Sequence, residues 1–114
     1  MNALNRMAVV VFAKQPFLDW LRLVDPTNED FTLDEVNREP SVYLLPECTY
    51  QDEFDRMVRR FRKRIFSNEL DGWWRDRSDW PDTGSLSLFS AWFEYRWHSV
   101  VLDLVEQPLI REGM

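Results

Sequence analysis

The sequence predicts a single α+β domain over residues 1–114, with a small mixed β-sheet of about four strands carrying two principal helices on one face. Three observations point to that class. Short β-branched and aromatic runs, AVVVFA (8–13), SVYLLPE (41–47) and AWFEYRWHSVVLDLVE (91–106), alternate with segments of helical period. Those helical segments, near 15–25 and 50–70, repeat apolar residues three and four positions apart. A length of 114 residues with 45% apolar and 15% aromatic content suffices for one core and is short for two.

AVVVFA is continuous rather than alternating, as expected of a strand covered on both faces or lying in the middle of a sheet. In KQPFLDWLRLVDP, Pro16 suits a first helical turn; Phe17, Trp20, Leu21 and Val24 form one face, and Pro26 stops the helix. Thr32 and Glu35 match a capping box, so another turn or two of helix begins at Thr32 and ends by Pro40. SVYLLPE is the second strand, bounded by Pro40 and Pro46. Thr49 and Asp52 are placed to cap a long helix from about Tyr50 to about Leu70, ending before Gly72. LDGWWRDRSDWPDTGS has turn chemistry throughout and reads as a loop anchored by tryptophans. Residues 91–106 favour two adjacent strands with a tight turn near His98 and Ser99; a continuous helix from Leu88 to Val105 is the alternative. The order is β-α-(α)-β-α-β-β. If the first two strands are parallel neighbours, their connection is a right-handed crossover.

Composition excludes several chemistries. One cysteine, Cys48, offers neither an internal disulfide nor a thiolate cluster, and one histidine, His98, cannot build a histidine-rich metal site. Three glycines give no phosphate-cradling loop. No cofactor, metal or catalytic constellation is therefore expected. MAVVVFA at 7–13 is the longest apolar run and falls far short of the ~20 residues that cross a bilayer, so a cytoplasmic protein without a membrane span is expected. The net charge of -6 works against general attraction to nucleic acid or anionic lipid.

Against that acidic balance, FDRMVRRFRKRIF (54–66) concentrates six cations: Arg56, Arg59, Arg60, Arg62, Lys63 and Arg64. On a helical projection Phe54, Met57, Val58, Phe61 and Ile65 share a core-facing sector and the cations take the remainder. The cluster is thus the solvated half of an amphipathic helix, with Asp52–Arg56 and Asp55–Arg59 as i, i+4 pairs. It is also an anion- or partner-binding candidate, because arginines grip carboxylate or phosphate in forked geometry. The acidic stretch DPTNEDFTLDEVNRE (25–39) is a candidate complement to it.

A second candidate surface is Trp73, Trp74, Arg75, Arg77 and Trp80, since loop tryptophans are hard to bury together and Trp and Arg are enriched at binding hot spots. Folding of these aromatics back over the sheet is the competing reading. Asp76, Asp79 and Asp82 do not match a calcium loop and are assigned to turns and caps. In the last run Phe93, Tyr95 and Trp97 share one strand face, expected to be core, opposite Trp92, Glu94, Arg96 and His98. A Cys48/His98 nucleophile pair would need the two to meet in space.

These features favour a non-catalytic protein-interaction or regulatory module with a protein partner. Self-association through the terminal hairpin is a further expectation, because two-stranded edges invite pairing. A nucleic-acid binder using the basic helix 56–64 is the alternative, and an enzyme with a Cys/His site is third.

Overall fold

The computed structural model describes residues 1–113. Its central strand, β2 (Arg6–Ala13), is the β-branched run, flanked by β3 (Val42–Pro46) and β4 (Phe93–His98) in the order β3-β2-β4. Both pairings are antiparallel, with Met7 opposite Leu45 on one side and Val9 opposite Trp97 on the other. The α+β class holds, while the antiparallel ladders correct the mixed sheet and remove the parallel crossover.

The connection explains the direction of β3. Helix α1 (Gln15–Val24) and the single turn α2 (Leu33–Val36) carry the chain away and back to the end of β2 that it left, so Val42 re-enters beside Val10. Thr32 does cap α2, its hydroxyl accepting the Glu35 N–H at 3.2 Å. Just beyond, the Asn37 side-chain amide accepts the Ala13 N–H at 2.7 Å and donates to the Ala13 carbonyl at 2.9 Å. It stands in for a strand residue beyond the point where β3 begins.

Helix α3 (Gln51–Asp71) crosses the inner face of the sheet obliquely. Near its start Phe54 stacks on Trp97 of β4 at 4.0 Å and Asp55 accepts the Tyr95 hydroxyl at 2.7 Å. Near its end Glu69 accepts the Tyr43 hydroxyl of β3 at 2.6 Å. Residues 55 and 69 lie about 21 Å apart along a helix, whereas β3 and β4 are roughly 10 Å apart across the sheet. A diagonal course meets both conditions.

The predicted core stripe is in place and runs further than expected: Phe54, Val58, Ile65, Phe66 and Leu70 are buried, with Met57 and Phe61 packed beside them. The predicted caps are not those used. Tyr50 precedes the first turn without a side-chain cap, and the Thr49 N–H is taken by the Glu53 carboxylate at 3.2 Å. The helix ends at Asp71, before Gly72, as the sequence suggests.

The predicted terminal hairpin is absent. Residues Leu86–Trp92 form α4, capped by the Ser85 hydroxyl, and β4 follows directly. Strand β5 (Leu102–Asp103) pairs with β1 (Asn2–Ala3) rather than with β4. A two-residue hairpin turn needs positive φ, which His98-Ser99 has no glycine or asparagine to supply; no described residue adopts it. The chain instead continues along the same partner. Between the Ala8–His98 and Ala3–Leu102 pairs, residues 4–7 face residues 99–101, a one-residue bulge. Phe93, Tyr95 and Trp97 do face the core side, but Trp92 ends α4 against Phe66 and so leaves the outward set.

Candidate functional site

The tryptophan loop is built from its own hydrogen bonds. Trp74 N–H bonds the Leu70 carbonyl at 2.9 Å, turning the chain back at the end of α3. Asp76 caps the short turn at 77–79 through the Ser78 amide and hydroxyl, which also hold its carboxyl below the usual range. Asp79 accepts the Trp74 indole on its carboxylate at 3.0 Å and the Trp20 indole on its backbone carbonyl at 2.9 Å. Trp80 donates to the Trp74 carbonyl at 2.8 Å. The indole donors of Trp20, Trp74 and Trp80 thus find partners inside the protein, and the loop is pinned to α1 and to itself.

This pinned loop forms one wall of a groove of about 530 Å³. Arg77 and Trp80 project from it, the guanidinium lying 5.4 Å from the centre of the indole. Helix α3 supplies Phe61, Arg64, Asn68 and Asp71, at intervals of three, four and three that form one stripe beside the core stripe. The remaining wall is β3, with Tyr43 and Leu44. Val11 N–H bonds the Ser41 carbonyl at 3.3 Å, so antiparallel alternation turns the Tyr43 and Leu45 backbones toward β2. The Val42 and Leu44 backbone groups face away, toward an edge that no described strand occupies.

A polar network runs from the Tyr43 side of the groove to Glu69 in the wall of a second cavity. Asn68 donates to the Tyr43 hydroxyl at 2.8 Å while that hydroxyl donates to Glu69 at 2.6 Å. Burial raises the Tyr43 pKa, and the adjoining carboxylate adds to the effect. Burial also raises the carboxyl pKa of Glu69, opposed by the hydrogen bond from Tyr43.

The cations of α3 are mostly unpaired. Among the described residues the one ion pair is Arg56–Asp52 at 3.7 Å. The expected Asp55–Arg59 pair does not form, because Asp55 is taken by Tyr95. No carboxylate of the 25–39 stretch pairs with the helix; Asp25 instead accepts from Thr27 and Asn28. Arg62 ties α3 to the loop before α4 through the Gly84 carbonyl at 3.0 Å. Arg59, Arg60 and Lys63 face solvent.

Two surfaces anticipated separately therefore meet in part. Arg64 of the basic cluster and Arg77 and Trp80 of the loop share the groove. Trp73 and Arg75 line the second cavity, of about 430 Å³, on the Glu69 side, with Trp73 edge-on to Phe31 at 5.6 Å. Tyr43, Leu44, Asn68 and Asp71 are groove residues the sequence reading does not single out. The Phe61–Arg64–Asn68–Asp71 stripe was the available signal.

His98 lies exposed on the outer sheet face opposite Ala8, whose other neighbour is Leu44. Two strand spacings, roughly 10 Å, therefore separate His98 from β3, and Cys48 lies beyond the end of that strand. Burial and the Glu53 carboxylate raise the Cys48 thiol pKa, opposite to what a helix N-terminus would do. Among the described residues no group of three or more His, Cys, Asp or Glu could hold a metal, and no helix is long and apolar enough to cross a membrane. No family model, curated protein or solved structure matches the chain.

Proposed function

We propose that the chain is a protein-interaction module whose groove takes an extended, acid-bearing apolar segment of a partner protein. One coincidence carries this reading: Arg64 and Arg77, neither paired with a carboxylate, flank Trp80 and Phe61 beside the unpaired edge of β3. Arginine forks suit carboxylates, and an aromatic wall suits the apolar residues between them. The free Val42 and Leu44 backbone groups suit an added strand, which Pro46 keeps short. The loop's internal bonds leave little to order on binding, which favours affinity.

The test is titration calorimetry of the chain with extended peptides in which Glu alternates with Leu or Val, against matched peptides with Lys for Glu. The acidic set should bind selectively, and Arg64→Glu with Arg77→Glu should weaken it by about tenfold or more. Equal binding of both sets, or an unaffected double variant, would remove the proposal.

The exposed, unpaired run Arg59, Arg60, Lys63 and Arg64 supports a second reading, a polyanion such as nucleic acid lying along α3. Four phosphate contacts give a log–log salt slope of about -3.6. Absence of binding at low salt would dismiss it.

A further inference from the structure

We infer that the outer face of the sheet is covered in solution by residues 104–112 of a second copy of this chain, the two copies exchanging these segments. An antiparallel sheet with one solvated face normally turns polar residues outward. Here the central strand turns Ala8, Val10 and Phe12 outward, with Ala8 8% exposed and the Arg96 guanidinium 5.7 Å from the centre of the Phe12 ring, and β3 adds Val42 and Leu44, 61% and 48% exposed. The polar residues of this face are on its rim: Glu94, Arg96 and His98 along β4, and Arg6 at the end of β2.

The same chain carries a segment without a surface. After β5, Leu104, Val105, Leu109 and Ile110 are 58% to 84% exposed, and the segment joins no strand. Pro108, lacking an N–H and fixed in φ, keeps it out of a helix and suits it to lying extended. Its charges oppose those of the face: Glu106 and Glu112 outnumber Arg111, whereas Arg6 and Arg96 outnumber Glu94.

Direction and charge identify the donor as a second copy. Strand β5 continues the course of β4 past the Arg6 end of the sheet, so at Asp103 the chain is heading away from its own Val10 and Phe12. Reaching them would take a reversal, and the exposure of Leu104, Val105, Leu109 and Ile110 shows that the segment does not pack on its own sheet. Stacking of two bare faces would bury only about 230 Å² per copy, from three strands of five residues at ordinary strand dimensions. A stable interface needs about 800 Å² per partner. Exchange of two nine-residue segments adds roughly 140 Å² per segment at the same dimensions, which makes a weak dimer, and closes on a two-fold axis, which stops assembly at two copies.

The test is sedimentation velocity of the full chain from about 1 μM to 1 mM. The chain should pass from monomer to dimer across that range. Leu109→Ser with Ile110→Ser in one variant, and Val42→Asp in another, should each weaken association at least tenfold; all three sites are exposed, and circular dichroism should show both variants folded. A chain that stays monomeric at 1 mM overturns the inference. So does a dimer indifferent to Leu109 and Ile110 but lost with Val42→Asp, which would mean bare faces stacking.

Discussion

The two faces of the central sheet are both apolar along β2 and have different fates, and only the outer one carries charged residues of β4, Glu94 and Arg96. On the inner face Met7, Val9 and Val11 are 1% exposed or less, packed with Phe17, Ile65, Phe66 and Phe93 in one cluster. On the outer face Val42 and Leu44 remain about half exposed. Hydrophobicity alone did not allocate burial between them; the amphipathic stripe of α3, which can cover only one side, did. The comparison is most easily broken by stability measurements. Phe66→Ala, emptying a site ringed by Phe89, Trp92 and Phe93, should cost about 3–5 kcal/mol in urea or thermal unfolding. Val42→Thr should stay within about 0.5 kcal/mol when measured at concentrations where the chain is monomeric. Comparable losses would mean that the outer face is packed after all.

The inner face is itself not uniform, and its edges sharpen the contrast. Tyr43 on β3 and Tyr95 on β4 each donate to a carboxylate of α3, Glu69 and Asp55, so the apolar centre is bounded by a phenol on either side. Tyr43→Phe leaves Glu69 without that donor and should cost about 1–3 kcal/mol. The pH dependence at this edge has a definite sign. Glu69 binds its proton more tightly folded than unfolded, because burial lifts its pKa above the ordinary 4.5. Its protonation therefore favours the fold fully below 4.5, and that contribution is lost as pH rises through the folded value. Glu69→Gln cannot titrate, so urea midpoints should favour the variant over wild type increasingly as pH rises above 4.5. At the other edge burial and Asp55 raise Tyr95 to about 12, so the alkaline loss of stability from this phenol falls between pH 10 and pH 12.

Much of this architecture was legible because it is local. The α3 stripe, its stop before Gly72, the Thr32 cap and the inward set Phe93, Tyr95 and Trp97 each follow from residues within a turn or two of one another. What was not legible depends on distant partners. The direction of β3 depends on where α1 and α2 return the chain, which no residue of VYLLP encodes. The segment after His98 shares β-branched density with a hairpin, yet its partner is β1 at the other end of the sequence. The groove brings Tyr43 and Leu44 against Arg64 and Arg77, from three separate segments. Tryptophan density suggested an open aromatic surface, whereas Asp79, a turn residue by sequence, binds two indoles and closes most of it.

The basic helix supplies the smallest expected effect and the finest test of the comparison. Arg56 and Arg62 belong to one cluster and are indistinguishable by composition. Arg56 meets Asp52 at 3.7 Å with both side chains about three-quarters exposed, where solvent screening leaves such a pair about 0.5 kcal/mol or less. Arg62 donates to the Gly84 carbonyl and to the Arg59 carbonyl, joining α3 to the segment that starts α4. Arg62→Ala should cost about 1 kcal/mol or more, since a charged donor holds a backbone acceptor there, and Arg56→Ala should be barely measurable, fading further in 0.5 M salt. Equal losses at the two positions would show that the cluster acts through its summed field rather than through individual ties. The outer half of α3 would then be a stabilising surface, and its unpaired cations could no longer be treated as free to meet a partner.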